Sequence, residues 1–231
     1  MKTFTLCYLI KGREKITNAC LAFQAENLPD NWFIRLYIDP STVIDTPECA
    51  TVIDYPQVGA LGRSFDYMVR DAAENAGTDY IVTMGQDNIL TDKGIELLEI
   101  AADAGKRFAG FNKYGAVCAD DAVSIYSAAP FGAGRMVATE LYLKTAEMNG
   151  CVYPHICERG LDGAASQRIY ACTGVYPTTI NTDYPMVFDF KSSDNLHSWE
   201  EIAGDRRASK IWLLPEIKQV QELIYNSEAG A

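Results

Sequence analysis

The chain has 231 residues, 48% of them hydrophobic, and 20 basic against 31 acidic side chains give a formal net charge of −11. At about 150 residues per domain that length predicts one large domain, and 13 Tyr, 9 Phe and 3 Trp supply a core that disordered and collagen-like chains lack. The negative charge argues against nonspecific nucleic-acid binding, which needs Lys and Arg to neutralise phosphates. No apolar run reaches the roughly 18 residues that span a bilayer. The opening MKTFTLCYLIKGREK returns to charge without a small-residue cleavage site, so it reads as a first strand rather than a leader. The seven cysteines are odd in number and form no C-x-x-C pair, so reduced thiols and a cytoplasmic location are expected.

In chain order, apolar runs rich in β-branched and aromatic residues predict strands at Phe4 to Ile10, Trp32 to Asp39, Thr51 to Tyr55, Tyr80 to Met84, Phe108 to Phe111 and Val123 to Tyr126. Helical spacing predicts helices over Ile16 to Gln24, Arg63 to Ala76 and Gly94 to Ala104 between them. Alternating strands and helices imply parallel βαβ units with a ligand crevice beyond the strands' carboxyl ends. The first 110 residues therefore read as a Rossmann-like α/β half. Beyond SAAPFGAGR the composition shifts to helices over Ala138 to Met148 and Gly163 to Cys172, then to turns and a polar stretch. From Pro215 onward, Ile217, Val220, Leu223 and Ile224 are expected on one face of a terminal amphipathic helix.

Three segments carry the residues that chemistry needs. Gly59 and Gly62 stand at the start of the second helix, where a missing side chain lets a ligand approach the backbone. Arg63, Asp66 and Arg70 share a face of that helix, as a binding surface or as a solvated ion-pair ladder. The fourth strand runs out into Gly85, Gln86, Asp87 and Asn88, a carboxylate and two carboxamides at the sheet edge. Oxygen donors of this kind suit Mg²⁺ or Mn²⁺ bridging substrate phosphates, while Asn88 or Thr91 is equally able to cap the next helix.

This order of βαβ start, acidic turn, basic helix and acidic strand end resembles the GT-A fold of nucleotide-sugar glycosyltransferases, family 2-like, over residues 3 to about 200. The family's Asp-x-Asp metal motif corresponds to Gly85-Gln86-Asp87, so the first carboxylate is missing. RGLDGAASQRIYACTG matches the acceptor-side motif and puts the catalytic base at Asp162, although Asp162 also suits a helix N-cap. DFKSSDNLHSW matches the late metal-binding segment, with His197 as a ligand and Lys191 toward the leaving diphosphate.

The resemblance implies an α/β, Rossmann-like GT-A sandwich with a mostly parallel central sheet flanked by helices. One domain is expected over 1–231: a nucleotide-sugar half (1–110), an acceptor half (111–205) and a C-terminal helix (206–231). It implies transfer of a sugar, UDP-linked in the family's manner, from a nucleoside diphosphate to a hydroxyl acceptor with inversion. Mn²⁺ or Mg²⁺ would sit on Asp87 and His197, and the donor on Asp39, Arg63, Asp66, Gln86 and Lys191. The acceptor is left open among glycans, proteins and modified nucleic-acid bases, with no membrane anchor expected. Two alternatives stay open: a noncatalytic nucleotide-sugar-binding or scaffold protein, kept alive by Gly85, and a sugar nucleotidyltransferase, for which the loop IKGREK is poor in glycine. His155 is expected to be structural or acceptor-facing.

Overall fold

The structure, a computed structural model, describes residues 1–57, 59–119, 121–158, 160–191 and 199–225. Strand β1 (Phe4–Ile10) is buried along its whole length, as its unbroken apolar sequence requires of a strand covered on both faces. Helix α1 (Glu14–Asn27), β2 (Trp32–Ile38), β3 (Ala50–Asp54), α2 (Leu61–Asn75) and β4 (Tyr80–Gly85) complete the parallel unit. Short β5 (Asn88–Leu90), α3 (Asp92–Asp103) and β6 (Phe108–Phe111) follow, then the antiparallel pair β7 (Lys113–Cys118) and β8 (Asp121–Tyr126). The remainder is β9 (Arg135–Ala138), α4 (Thr139–Asn149), α5 (Leu161–Thr173), β10 (Thr178–Ile180), β11 (Val187–Phe190), α6 (Trp199–Ala203), β12 (Ala208–Lys210) and α7 (Pro215–Tyr225).

Seven strands form the central sheet in the order β10-β6-β9-β4-β1-β2-β3. Strands β1 to β4 run parallel, and β9 lies antiparallel between β4 and β6. The parallel register is fixed by aromatics: Phe4 pairs with both Trp32 and Tyr80 and stacks on them at centroid distances of 4.4 and 5.3 Å. A second sheet, β12-β8-β7-β11-β5, leans on the carboxyl end of the first. Its inner residues Ile89, Val117, Phe188 and Phe190 pack with Ile16 and Cys20 of α1 and with Ile217, Val220 and Ile224 of α7.

The six strands expected from the sequence are all present, and the mostly parallel α/β sheet is the expected one. Strands β5, β9, β10, β11 and β12 are three or four residues long, too short for periodicity to declare. In α7 the buried face is Ile217, Val220, Gln221 and Ile224, at i, i+3, i+4 and i+7, while Leu223 is 59% exposed. Gln221 replaces Leu223 there and donates to the Cys118 carbonyl at 2.8 Å. Among the described residues no helix is long and apolar enough to cross a membrane.

The start of α2 departs from the sequence reading of an open glycine platform. A Cβ on Gly62 would stand 2.0 Å from the Pro154 carbonyl and 3.1 Å from that of Cys157. The Gly62 N–H donates to the Cys157 carbonyl at 2.9 Å, and the Leu61 N–H to Glu158 Oε2 at 3.1 Å. The chain's own 154–158 loop therefore fills the space that the missing side chain leaves. Gly62→Ala should cost about 1–3 kcal/mol through overpacking against backbone, whereas Gly163→Ala, with open space around it, should be near neutral. Urea denaturation of the two variants checks this, and equal stabilities would show that the loop yields freely.

Candidate active site

A cavity of about 460 Å³ opens where the carboxyl end of β4 meets the second sheet. Asp162, on the first turn of α5, lines one wall; Asn88, Tyr114, Asp189 and Lys191 line the other. Thr83, Met84 and Gly85 form its floor, and Asp205 and Arg207 stand at its rim.

The polar wall is a buried charge cluster. Strand β11 pairs antiparallel with β5 so that Asp189 lies opposite Asn88, and the Phe190 N–H donates to the Asp87 carbonyl at 2.9 Å. This pairing brings the carboxylates of Asp87 and Asp189, 8% and 4% exposed, beside each other. Asp189 Oδ2 accepts from the Tyr114 hydroxyl and from Lys191 Nζ, while Asp189 Oδ1 is buried without a hydrogen-bond partner among the described residues. Arg13 donates to Asp87 Oδ2 at 2.6 Å from a left-handed backbone, φ 58°, unique among the described non-glycine residues. Burial, then the charge of Asp189, pushes the Asp87 carboxyl up to about 7, with Lys191 and Arg13 pulling the other way.

Gly85 and Asn88 shape the loop between β4 and β5. Asn88 Oδ1 accepts the Gly85 N–H at 2.9 Å, while Thr91 caps α3 by accepting the Gly94 N–H at 3.1 Å. Gln86 clamps the end of β1 rather than facing the cavity: its Oε1 accepts the Lys11 N–H at 2.6 Å and its Nε2 donates to the Lys11 carbonyl at 3.2 Å. Beside it, Asp39 accepts from the Ser41 hydroxyl at 2.6 Å and from the N–H groups of Ser41 and Gln57, each at 3.0 Å. The Ser41 hydroxyl and N–H, then the Gln57 N–H, hold its carboxyl down to about 2, and Lys11 Nζ stands 3.7 Å away.

On the opposite wall Gly160, not Asp162, is the N-cap of α5, so Asp162 is not spent on capping. Its side chain is 55% exposed and is steadied by Arg135, a fully buried residue at the start of β9. Arg135 Nη1 donates to the Asp162 carbonyl at 3.0 Å and to the Ser166 hydroxyl at 3.1 Å; Nη2 reaches Tyr153 Oη at 2.9 Å and Asp162 Oδ1 at 3.3 Å. Burial works against the guanidinium charge, yet Tyr153 and Asp162 raise its pKa overall. Gly132 is needed opposite, since a Cβ there would stand 2.0 Å from Asp162 Oδ2.

Asp39, Gln86, Asp87 and Lys191 thus gather around the carboxyl ends of β1, β2, β4 and β11, and Asp162 lines the same cavity as Lys191 and Asp189. Arg63 and Asp66 do not join them. They line a separate cavity of about 410 Å³ on α2 with Tyr55, Arg70 and His155. Asp66 is 2% exposed, and its carboxylate ties down the 152–155 loop through the Val152 and Tyr153 N–H groups and His155 Nε2 at 2.6, 3.1 and 2.9 Å. His155 is accordingly structural. His197 lies outside the described residues. Sequence reasoning missed Arg13, Tyr114, Arg135 and Asp189.

The donor set fits a hard divalent cation. Mg²⁺ is commonly held by one or two carboxylates together with waters and substrate phosphates, and the buried, unpartnered Asp189 Oδ1 beside Asp87 supplies such oxygens. Among the described residues no group of three or more His, Cys, Asp or Glu side chains converges in metal-binding geometry.

No protein-family model matches the chain, and no curated protein matches it in sequence. Among solved structures it is similar to S. aureus TarS 1-349 in complex with UDP-GlcNAc, at TM-score 0.60 and 12% identity over 84% of this chain and 60% of that one. It is also similar to S. aureus TarS 1-349 in complex with UDP, at TM-score 0.57 and 12% identity over 99% and 66%. The chain spans less than two thirds of the length of either. At this identity the likeness shows the fold, and it is the GT-A arrangement expected from the sequence.

Two predictions follow from the cluster's geometry. Gly85→Asp, which rebuilds the acidic pattern on paper, should destabilise the chain, because its Cβ would stand 2.5 Å from Asn88 Oδ1 and 3.0 Å from Asp87 Oδ1; a melting temperature at or above wild type would refute the steric argument. Asp87 should make stability fall with rising pH. Between the ordinary carboxylate value near 4 and about 7 the folded chain holds a proton that the unfolded chain has released. Compared with Asp87→Asn, the wild type should lose unfolding free energy as pH rises from about 4 to about 7 in urea titrations, and parallel curves would place the titration elsewhere.

Proposed function

We propose that this protein is a glycosyltransferase that moves a sugar from a nucleoside diphosphate, UDP in our reading, to a hydroxyl acceptor with inversion at the anomeric carbon. One observation carries this: an exposed carboxylate, Asp162, held by a buried arginine, lines the same sugar-sized cavity as a cluster of buried charge at the carboxyl edge of a GT-A sheet. Similarity to structures solved with UDP-GlcNAc and UDP supports the donor class.

In this reading Asp162 accepts the proton of the acceptor hydroxyl as that oxygen attacks the anomeric carbon. The buried Arg135 fixes the carboxylate's direction, so the base meets the acceptor without searching rotamers. The diphosphate departs toward Lys191 and Arg13, which are held nearby by their ion pairs with Asp189 and Asp87. Attack and departure on opposite sides of the anomeric carbon give inversion. Mn²⁺ or Mg²⁺, held by Asp87 with His197 as the family resemblance implies, would supply further charge neutralisation at the leaving group. Asp39, ionised and locked by Ser41 and Gln57, is assigned to the nucleoside, and Gln86 to holding the β1 end against it. Arg63 and Asp66, which line the separate cavity on α2, take no part in this reading.

Incubation with a panel of sugar nucleotides and Mn²⁺ tests the activity. Release of nucleoside diphosphate is expected; pyrophosphate exchange would indicate nucleotidyl transfer, and binding without release would indicate a noncatalytic protein. Asp162→Asn preserves shape while removing the base. It should lower kcat at least about a hundredfold and leave the calorimetric donor Kd and the melting temperature nearly unchanged. Full turnover in that variant would remove Asp162 from the chemistry.

A further inference from the structure

The carboxylate missing from the loop at Gly85 has a counterpart on another strand. Asp189 sits on β11 directly opposite Asn88, one residue along from Asp87, so the β5–β11 pairing delivers a second carboxylate to the neighbourhood from which Gly85 has removed one. Its side chain is 6% exposed. Asp189 Oδ2 is fully used by the Tyr114 hydroxyl and Lys191 Nζ, yet Oδ1 is buried with no partner among the described residues. A buried carboxylate oxygen without a hydrogen bond is costly and rare, and such an orphan commonly marks a missing ligand. Lys191 and Tyr114 already meet Asp189 at its other oxygen, and the neighbouring carboxylate of Asp87 adds repulsion that a cation between the two would relieve.

We propose that Asp189 is a ligand for a divalent cation of the Mg²⁺ or Mn²⁺ class, and that with Asp87 it forms a two-carboxylate site built from two strands instead of one loop. Hard oxygen donors select such ions, and two carboxylates leave positions open for water and for a substrate diphosphate. The inference deepens the glycosyl-transfer reading and rests on it only for the cation's task. It carries a second consequence. Lys191 neutralises Asp189 from the other oxygen, so its ammonium opposes a divalent ion nearby, and removing that charge should tighten the site.

Mn²⁺ binding, followed by electron paramagnetic resonance of free Mn²⁺ titrated into the full chain without nucleotide, tests the assignment without reference to turnover. The wild type should bind one Mn²⁺. Asp189→Asn, which keeps the shape and still accepts from Tyr114, should weaken Mn²⁺ at least tenfold while retaining near-ultraviolet circular dichroism. Lys191→Gln should tighten it severalfold, and this variant decides the matter if Asp189→Asn does not fold. Unchanged affinity in either folded variant, or no Mn²⁺ bound by the wild type, overturns the proposal. Wild-type protein that binds Mn²⁺ through Asp189 but releases no nucleoside diphosphate from any sugar nucleotide leaves the cation site standing and removes the transferase reading instead.

Discussion

Two carboxylates buried side by side where two sheets meet set the conditions that the rest of the site obeys. Asp87 and Asp189 are brought together by the β5–β11 pairing, and the charge of Asp189 adds to burial in raising the cost of ionising Asp87. The surroundings answer with cations whose positions are otherwise hard to explain. Arg13 occupies a left-handed backbone, a conformation that disfavours side chains, at the start of α1 and from there meets Asp87. Lys191 leaves the end of β11 folded back onto Asp189, one turn of the pleat away on the same face. Even Gly85 belongs to this arrangement, because Asn88 and Asp87 fill the volume that a side chain there would need.

The facing wall follows a different logic. Asp162 is exposed and does no capping; its geometry comes from a guanidinium buried beneath it. Burying Arg135 is tolerable because carbonyl, hydroxyl and carboxylate acceptors surround it, from Asp162, Ser166 and Tyr153. Breaking such an arrangement from one side would leave a charge unpaired in the core, which is more costly than losing a surface pair. Asp162 is therefore rigidly held, and the Asp87–Asp189 cluster is a compensated reservoir of charge. That asymmetry suits a reaction in which a proton leaves on one side and an anion on the other.

Much of the fold was legible because its strands announce themselves. FTLCYLI, WFIRLYI and YIVTMG are apolar runs bounded by polar turns, and the helices between them carry clear periodicity. Of the second sheet only β8 was, since three- and four-residue strands such as VFDF hold at most two repeats of the strand period, too few to stand out. Asp189 was lost for that reason: a carboxylate between two phenylalanines gives no local sign that it faces a cavity while they face the core. Arg135 was hidden differently, in a glycine-rich stretch that reads as loop, where only the β4–β9 pairing reveals it as a buried strand residue. Gly62 was read correctly as a close approach, but the approaching group is the chain's own backbone and not a ligand. Spacing reports that room is needed and is silent on what fills it.

That last point bears on how an acidic chain could hold a polyanion. With the α2 N-terminus covered by the 154–158 loop, its N–H groups Leu61 and Gly62 are already spent on Glu158 and Cys157, so helix-terminus binding of phosphate there is closed. Positive charge must come from side chains: beside Arg207 at the rim, Lys191 lines the cavity and Lys11 and Arg13 stand near the strand ends. Lys11, Arg13 and Lys191 are already paired, with Asp39, Asp87 and Asp189 respectively. An incoming diphosphate would have to draw these cations off carboxylates that cannot follow it, leaving Asp87 and Asp189 uncompensated in the interior. A divalent cation between those two carboxylates removes the conflict, because it takes over their neutralisation and frees Arg13 and Lys191 to face the phosphates. On our proposal the missing acid at Gly85 would not dispense with the cation but would transfer the demand to β11, where Asp189 Oδ1 stands without a partner among the described residues.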